Sequence, residues 1–192
     1  MSSKNPSSAD NQQERFQDLD VPDAIGYYLA GFTDGEGSFH VVFRKRQDYK
    51  LLWKISLCFN VAQKDRVVLE LFKQHLNCGT LRQRRDGVWY YEVNNLNDLL
   101  HKVIPFFERF QCLSVKKARD FSKFKELAEL VKSGEHLSVA GLMRVLEIRQ
   151  TMNDGGLERR KYTDADILRY LENPQRLYAE AVNEQHDIVR SS

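Results

Sequence analysis

The segment Leu29-Ala30-Gly31-Phe32-Thr33-Asp34-Gly35-Glu36-Gly37 sets two carboxylates beside a run of small residues. Asp34 and Glu36 offer hard oxygen donors of the kind that suits Mg²⁺. Ala30-Gly31 and Gly35 let two helix backbones approach closely, the usual use of small residues at four-residue spacing. If two copies pack this way, carboxylates from different helices converge on one small volume. Such a cluster repels itself unless divalent cations neutralise it. The competing reading is a glycine-rich helix end with ordinary solvated acids.

These acids need a helix to carry them. Pro22 and Asp23 suit a first helical turn, where a missing N–H and a negative charge are both tolerated. Ile25, Tyr28, Leu29 and Phe32 follow at helical spacing, and the helix must end near residues 34–37. Ser38 to Arg46 then alternates, with Phe39, Val41 and Phe43 on one side and His40, Val42, Arg44 and Arg46 on the other. Lys50 to Ala62 repeats the pattern: Trp53, Ile55, Leu57, Phe59 and Val61 oppose Lys54, Ser56, Cys58, Asn60 and Ala62. Asp65 to Leu76 fits a helix with Val68, Leu71 and Phe72 on its apolar stripe. Thr80 to Arg85 and Val88 to Val93 form a hairpin around Asp86-Gly87, a pair that adopts positive φ readily. Trp89, Tyr91 and Val93 should be buried, with Tyr90 and Glu92 opposite. Helices follow over 95–110, interrupted near Pro105, and over 115–132. Two more fall at 136–152 and 163–172, with a break at Asn153-Asp154-Gly155-Gly156.

The order α-β-β-α-β-β-α, followed by extra helices, implies an α+β fold. Four antiparallel strands with one apolar face each call for helices on one face of the sheet only. The other face carries Arg44, Arg46, Lys54, Ser56, Asn60, Arg82 and Arg84, donors suited to phosphates and purine edges. The net charge of +2 argues weakly against nucleic acid, but its distribution argues the other way. Residues 38–94 hold eleven basic against five acidic side chains, whereas residues 1–37 hold two against seven. A solvated, charged sheet face is the plainer alternative. Residues 1–20 read as a disordered extension, 21–172 as one domain, and 173–192 as a helical or flexible tail bearing Leu177, Tyr178 and Val182. Cys58, Cys78 and Cys112 form no C-x-x-C pair, so neither zinc nor a disulfide framework is implied. No apolar run is long enough to span a bilayer, and the leading residues lack the marks of a targeting peptide.

The nine residues from Leu29 to Gly37 read LAGFTDGEG, and they resemble the signature of the LAGLIDADG homing endonucleases. Ile55–Lys64 resembles the family's second strand and its turn into a helix, Gly79–Arg84 its third strand, and Leu113–Lys117 the segment bringing a lysine to the site. The resemblance covers residues 22–172 and implies the αββαββα homing-endonuclease fold. A single copy of the motif implies a homodimer and a long, pseudo-palindromic double-stranded DNA target. Glu36 matches the essential metal-binding acid, where many members carry Asp, and Gly35 lies beside it at the metal. Leu29, Ala30, Gly31, Phe32, Asp34 and Gly35 match the dimer interface, with Asp34 a helix cap or interface residue. Gln63 matches a residue that orients water; Lys116 matches the basic residue of the solvent network, with Lys117 its rival one position on. His40, Val42, Arg44, Arg46, Lys54, Ser56, Asn60, Arg82, Arg84 and Tyr90 fall where the family's strands meet the major groove. Of these, Arg44 and Arg82 are the foremost candidates. Lys161, with Arg159-Arg160, resembles a basic loop near the DNA backbone, or is a solvated charge run. The resemblance implies Mg²⁺ (or Mn²⁺), a staggered double-strand break and mobility of a host intron. The implied location is a chloroplast or mitochondrion for an organelle gene, otherwise the bacterial cytoplasm.

Some relatives instead act as maturases on intron RNA, or as regulators whose acids have decayed. The joint presence of Glu36, Gln63 and Lys116 argues for retained cleavage. A restriction-type site does not fit, since Glu36 is followed by Gly37-Ser38 rather than x-Lys. Nor does a His-Asn-His site, since the five histidines lie far apart. A basic coat protein would leave the small-residue helix and its acids without a role.

Overall fold

Alternation in the sequence becomes a sheet in the computed structural model, which describes residues 20–49, 51–152 and 161–172. Helix α1 (Asp23–Glu36) runs directly into strand β1 (Gly37–Lys45), which turns back into β2 (Trp53–Gln63). Helix α2 (Arg66–Leu76) leads to the hairpin β3 (Thr80–Gln83) and β4 (Trp89–Val93). The sheet order is β1-β2-β4-β3, antiparallel at every pairing. A long helical run then comprises α3 (Leu96–Asp98), a π turn (Leu99–Val103) and α4 (Ile104–Arg109). Helix α5 (Val115–Lys132), a 3₁₀ turn (Glu135–Leu137), α6 (Val139–Gln150) and α7 (Asp164–Glu172) complete the described chain.

The inward-pointing strand residues meet the helices in one aromatic core. Phe39 contacts the rings of Phe59, Phe107 and Phe124 at centroid separations of 5.1, 5.1 and 5.3 Å. Phe72 of α2 stacks on Tyr91 at 5.7 Å. Asp65 caps α2 through Val67 N–H (2.9 Å), and Ser114 caps α5 through Lys117 N–H (3.2 Å), each satisfying an otherwise orphaned donor. Asp23 is the acid in the first turn of α1, and Arg109 Nη2 donates to it at 2.8 Å.

Three expectations change. The interruption near Pro105 is not a break but a π turn immediately before it. Ile104 N–H bonds back to Leu99 O, and Pro105, which has no N–H to give, sits in the first turn of α4. The β3–β4 strands are shorter than expected, with Arg84 and Val88 closing the turn by a 2.9 Å backbone bond and Gly87 at φ +81°. Arg46 leaves the sheet, because β1 ends at Lys45 and the chain turns there, Arg46 N–H bonding to Leu52 O at 2.7 Å. The expectations for residues 1–19, for 153–160 and for 173–192 lie outside the described residues. Among the described residues no helix is long and apolar enough to cross a membrane.

Candidate active site and nucleic-acid interface

Helix α1 presents two different faces. Gly26, Leu29, Ala30 and Thr33, spaced three and four apart, point into the subunit's own core. Leu29 and Ala30 are therefore corrected from interface to core residues, being 0% and 1% exposed within a single chain. A Cβ on Gly26 would lie 2.4 Å from the Phe110 ring, so that glycine is there for close packing. The opposite face carries Tyr27, Tyr28, Gly31 and Gly35, with Phe32 at its margin. A Cβ on Gly31 or Gly35 would meet nothing within 4 Å. Tyr28, grouped by its spacing with Ile25, Leu29 and Phe32, lies instead on this open face, 49% exposed and 6.4 Å from the Phe32 ring.

Asp34, half-buried at the end of α1, acts as a clamp within the subunit. Its carboxylate accepts from Leu113 N–H (2.8 Å), Ser114 N–H (3.2 Å) and Ser114 Oγ (2.9 Å). That joins the end of α1 to the start of α5, the helix carrying both candidate lysines. Lys116 is exposed on α5. Lys117 is buried, and its ammonium donates to the main-chain carbonyl of Gly37, the residue after Glu36. Burial lowers the Lys117 pKa, with Asp120, Cys112 and Asp34 opposing the shift. Of the two lysines, the buried one is thus brought to the motif. Counting back from Phe124 by seven residues along the buried stripe of α5 lands on Lys117, a periodicity signal available in the sequence.

Glu36 and Gly35 are exposed at the last turn of α1, where helix carbonyls lack helical partners. Gln63 ends β2 at the same end of the sheet, two residues beyond the Gly37–Val61 pair. Its amide oxygen accepts from Lys64 N–H at 2.8 Å. A carboxylate and main-chain oxygens are the donors Mg²⁺ or Mn²⁺ takes. Among the described residues, however, no three acids, histidines or cysteines gather as a metal cluster. The donor set fits part of a divalent site.

The outer face of the sheet gathers most of the expected nucleic-acid residues. Register aligns Arg44 with Lys54, Val42 with Ser56, and His40 with Cys58. It also forms the rows Ser38–Asn60–Glu92–Thr80 and Ala62–Tyr90–Arg82. His40 is held below the ordinary histidine pKa by burial, only partly offset by Glu92. Arg84 stacks over Tyr90 at 3.8 Å, and Arg82 Nη2 donates to Glu92 Oε2 at 2.8 Å. Arg46 lies off the sheet, its Nε and Nη2 donating to the two carboxylate oxygens of Asp48, each at 2.8 Å. Lys161 lies over the Tyr162 ring, itself 5.0 Å from Trp53, at the end of the sheet remote from Glu36. Arg159 and Arg160 lie outside the described residues.

An αββαββα chain whose first helix ends in paired acids, beside a sheet with one open polar face, is the architecture of LAGLIDADG proteins. The model of the LAGLIDADG endonuclease family matches residues 29–128, and the chain belongs to that family. An archaeal intron-encoded homing endonuclease complexed with DNA superposes with a TM-score of 0.70 at 30% identity, covering 78% of this chain and 96% of that one. I-SmaMI bound to uncleaved DNA target in the presence of calcium ions gives 0.67 at 27% identity, covering 78% of this chain and 49% of that one. A probable intron-encoded endonuclease of Neurospora crassa is 32% identical over 130 residues, 66% of this chain and 27% of the relative. The chain thus spans about a quarter of the length of that curated relative.

Proposed function

We propose that this chain is a divalent-metal-dependent, site-specific DNA endonuclease that works as a homodimer. Residues 21–172 are read as one endonuclease domain. The observation that carries the proposal is the delivery of the Lys117 ammonium to Gly37 O, directly after Glu36, at the sheet end where Gln63 also lies. Acid, amide and ammonium then share one edge of a sheet whose open face carries Arg44, Lys54, Arg82 and Arg84.

Glu36, with the main chain at Gly35, would hold Mg²⁺ or Mn²⁺. When bound, the ion supplies Lewis-acid stabilisation of charge building on the phosphate oxygens. Gln63 orients water through its amide, and Lys117 provides positive charge to the same space. The open face of α1, with Gly31, Phe32, Gly35 and Tyr28, meets its copy across a two-fold axis, bringing two half-sites together. Such symmetry calls for a long pseudo-palindromic duplex cut on both strands with a stagger. His40, Val42, Ser56, Asn60 and Tyr90 face the bases, while Lys161 faces backbone. Relatives named for introns support promotion of host-intron mobility, in an organelle or a bacterial cytoplasm.

Cleavage of a plasmid library with Mg²⁺, comparing the chain with Glu36→Gln, tests this. Cutting by the chain and loss in the variant is expected. Equal cutting by both, or metal-dependent binding without cutting by either, would sink the mechanism.

A further inference from the structure

The centre of the sheet's open face is nearly neutral, although its edges are cationic. His40 is biased to its neutral form by burial, Cys58 is held protonated with its pKa pushed up to about 12, and Ser56 and Asn60 carry no charge. Glu92 adds a carboxylate to a surface that must approach phosphates. An arginine that only binds phosphate needs no acid beside it, and an acid there costs affinity for any polyanion.

Glu92 is, moreover, tightly arranged. It sits in the row Asn60–Glu92–Thr80, and its side chain is only 19% exposed against 55% for Arg82. Oε1 accepts from Asn94 Nδ2 at 3.2 Å, and Oε2 accepts from Arg82 Nη2 at 2.8 Å. Arg82 pairs directly with Tyr90 and reaches Glu92 as its diagonal neighbour, a contact long side chains make across antiparallel strands. The contact is a single hydrogen bond, unlike the two-point grip of Asp48 on the Nε and Nη2 of Arg46. Guanidinium has five donors in a rigid fork, so a partner held through one of them restrains where the group sits while other N–H groups remain to read a base.

We propose that Glu92 is a specificity-determining positioning residue: it neutralises and aims Arg82, committing that guanidinium to a base edge rather than to phosphate. The base that presents two acceptors to such a fork in the major groove is guanine. This rests on the reading that the open sheet face takes duplex DNA.

The test uses the full chain with Ca²⁺ replacing Mg²⁺, to keep the DNA intact, and duplexes selected from a randomised pool. Binding is measured for each single base change and for unrelated duplex, across a salt series, with unfolding midpoints confirming that every variant folds. Glu92→Gln should lose discrimination at one G·C pair per half-site by roughly tenfold. It should also bind unrelated duplex more tightly, with a salt slope steeper by about 1.8, one extra phosphate contact from each of the two subunits. Arg82→Lys, which keeps charge but loses the fork, should lose discrimination at the same pair while retaining non-specific affinity. Lys54→Gln should weaken all duplexes alike. Unchanged base preference in either Glu92→Gln or Arg82→Lys, with the parent still selective, overturns the inference alone. Failure of the parent to bind any duplex overturns the DNA reading and the inference with it.

Discussion

Lys116 and Lys117 differ by about 100° of helix rotation, and that rotation separates a solvent-facing lysine from one at the motif. Side-chain type made either a candidate; the buried stripe Lys117, Asp120, Phe124, Leu127 and Ala128 chooses between them. Holding an ammonium there costs stability, since burial pulls its pKa below the usual 10.5. A cost kept at one position but not its neighbour points to use. Lys117→Met is expected to slow plasmid cleavage by about a hundredfold or more, whereas Lys116→Met should change it only a few-fold. Single-turnover rates on one cloned target decide the matter, and the reverse ranking would remove Lys117 from the site. Glu92 was legible only in part: its strand parity put it on the outer face, but its bond to Arg82 needed the register between β3 and β4.

At the scale of elements, the strands were the most readable feature because period-two alternation holds along β1 and at both ends of β2, although β3 buries no residue and Trp89, expected in the core, is only half-buried. Phe39, Val41 and Phe43 are buried, and so are Ile55, Leu57 and Phe59, as their spacing requires. What did not show was how elements are joined. The π turn before Pro105 adds a residue to a turn without altering the apolar pattern around it. The clamp from Asp34 to Leu113 and Ser114 spans 79 and 80 residues, beyond any local signal. Through that clamp α1 sets the position of α5, and hence of Lys117 relative to Glu36. Removing it in Asp34→Ala should lower unfolding free energy by roughly 1–3 kcal/mol, as expected for losing hydrogen bonds to a charged group. Cleavage should fall further than Mg²⁺ affinity, because the lysine rather than the metal acid is misplaced. Denaturant unfolding and metal titration read the two effects separately; unaltered stability would mean that solvent replaces the clamp.

The whole molecule poses the question of why α1 has bare glycines where nothing touches them. Gly31 and Gly35 carry the helix-propensity penalty of glycine, about 1 kcal/mol each relative to alanine, with no intrachain contact to justify it. Gly26 on the same helix is different, since its missing side chain is filled by Phe110. Small size alone does not tell which residues face inward: Leu29 and Ala30 are buried in the subunit, whereas Gly31 beside them is bare. A second copy of α1 against the open face would account for the bare glycines and would bring a second Glu36 to complete the half-site. The two glycines therefore predict opposite outcomes. Gly26→Ala should destabilise the subunit by about 1–3 kcal/mol through overpacking. Gly31→Leu should leave the subunit as stable or slightly more so, yet abolish dimerisation and double-strand cleavage. Sedimentation equilibrium beside thermal unfolding at low protein concentration distinguishes them. A Gly31→Leu chain that still dimerises and cuts would mean that the subunits meet elsewhere and that the bare face of α1 has some other occupant.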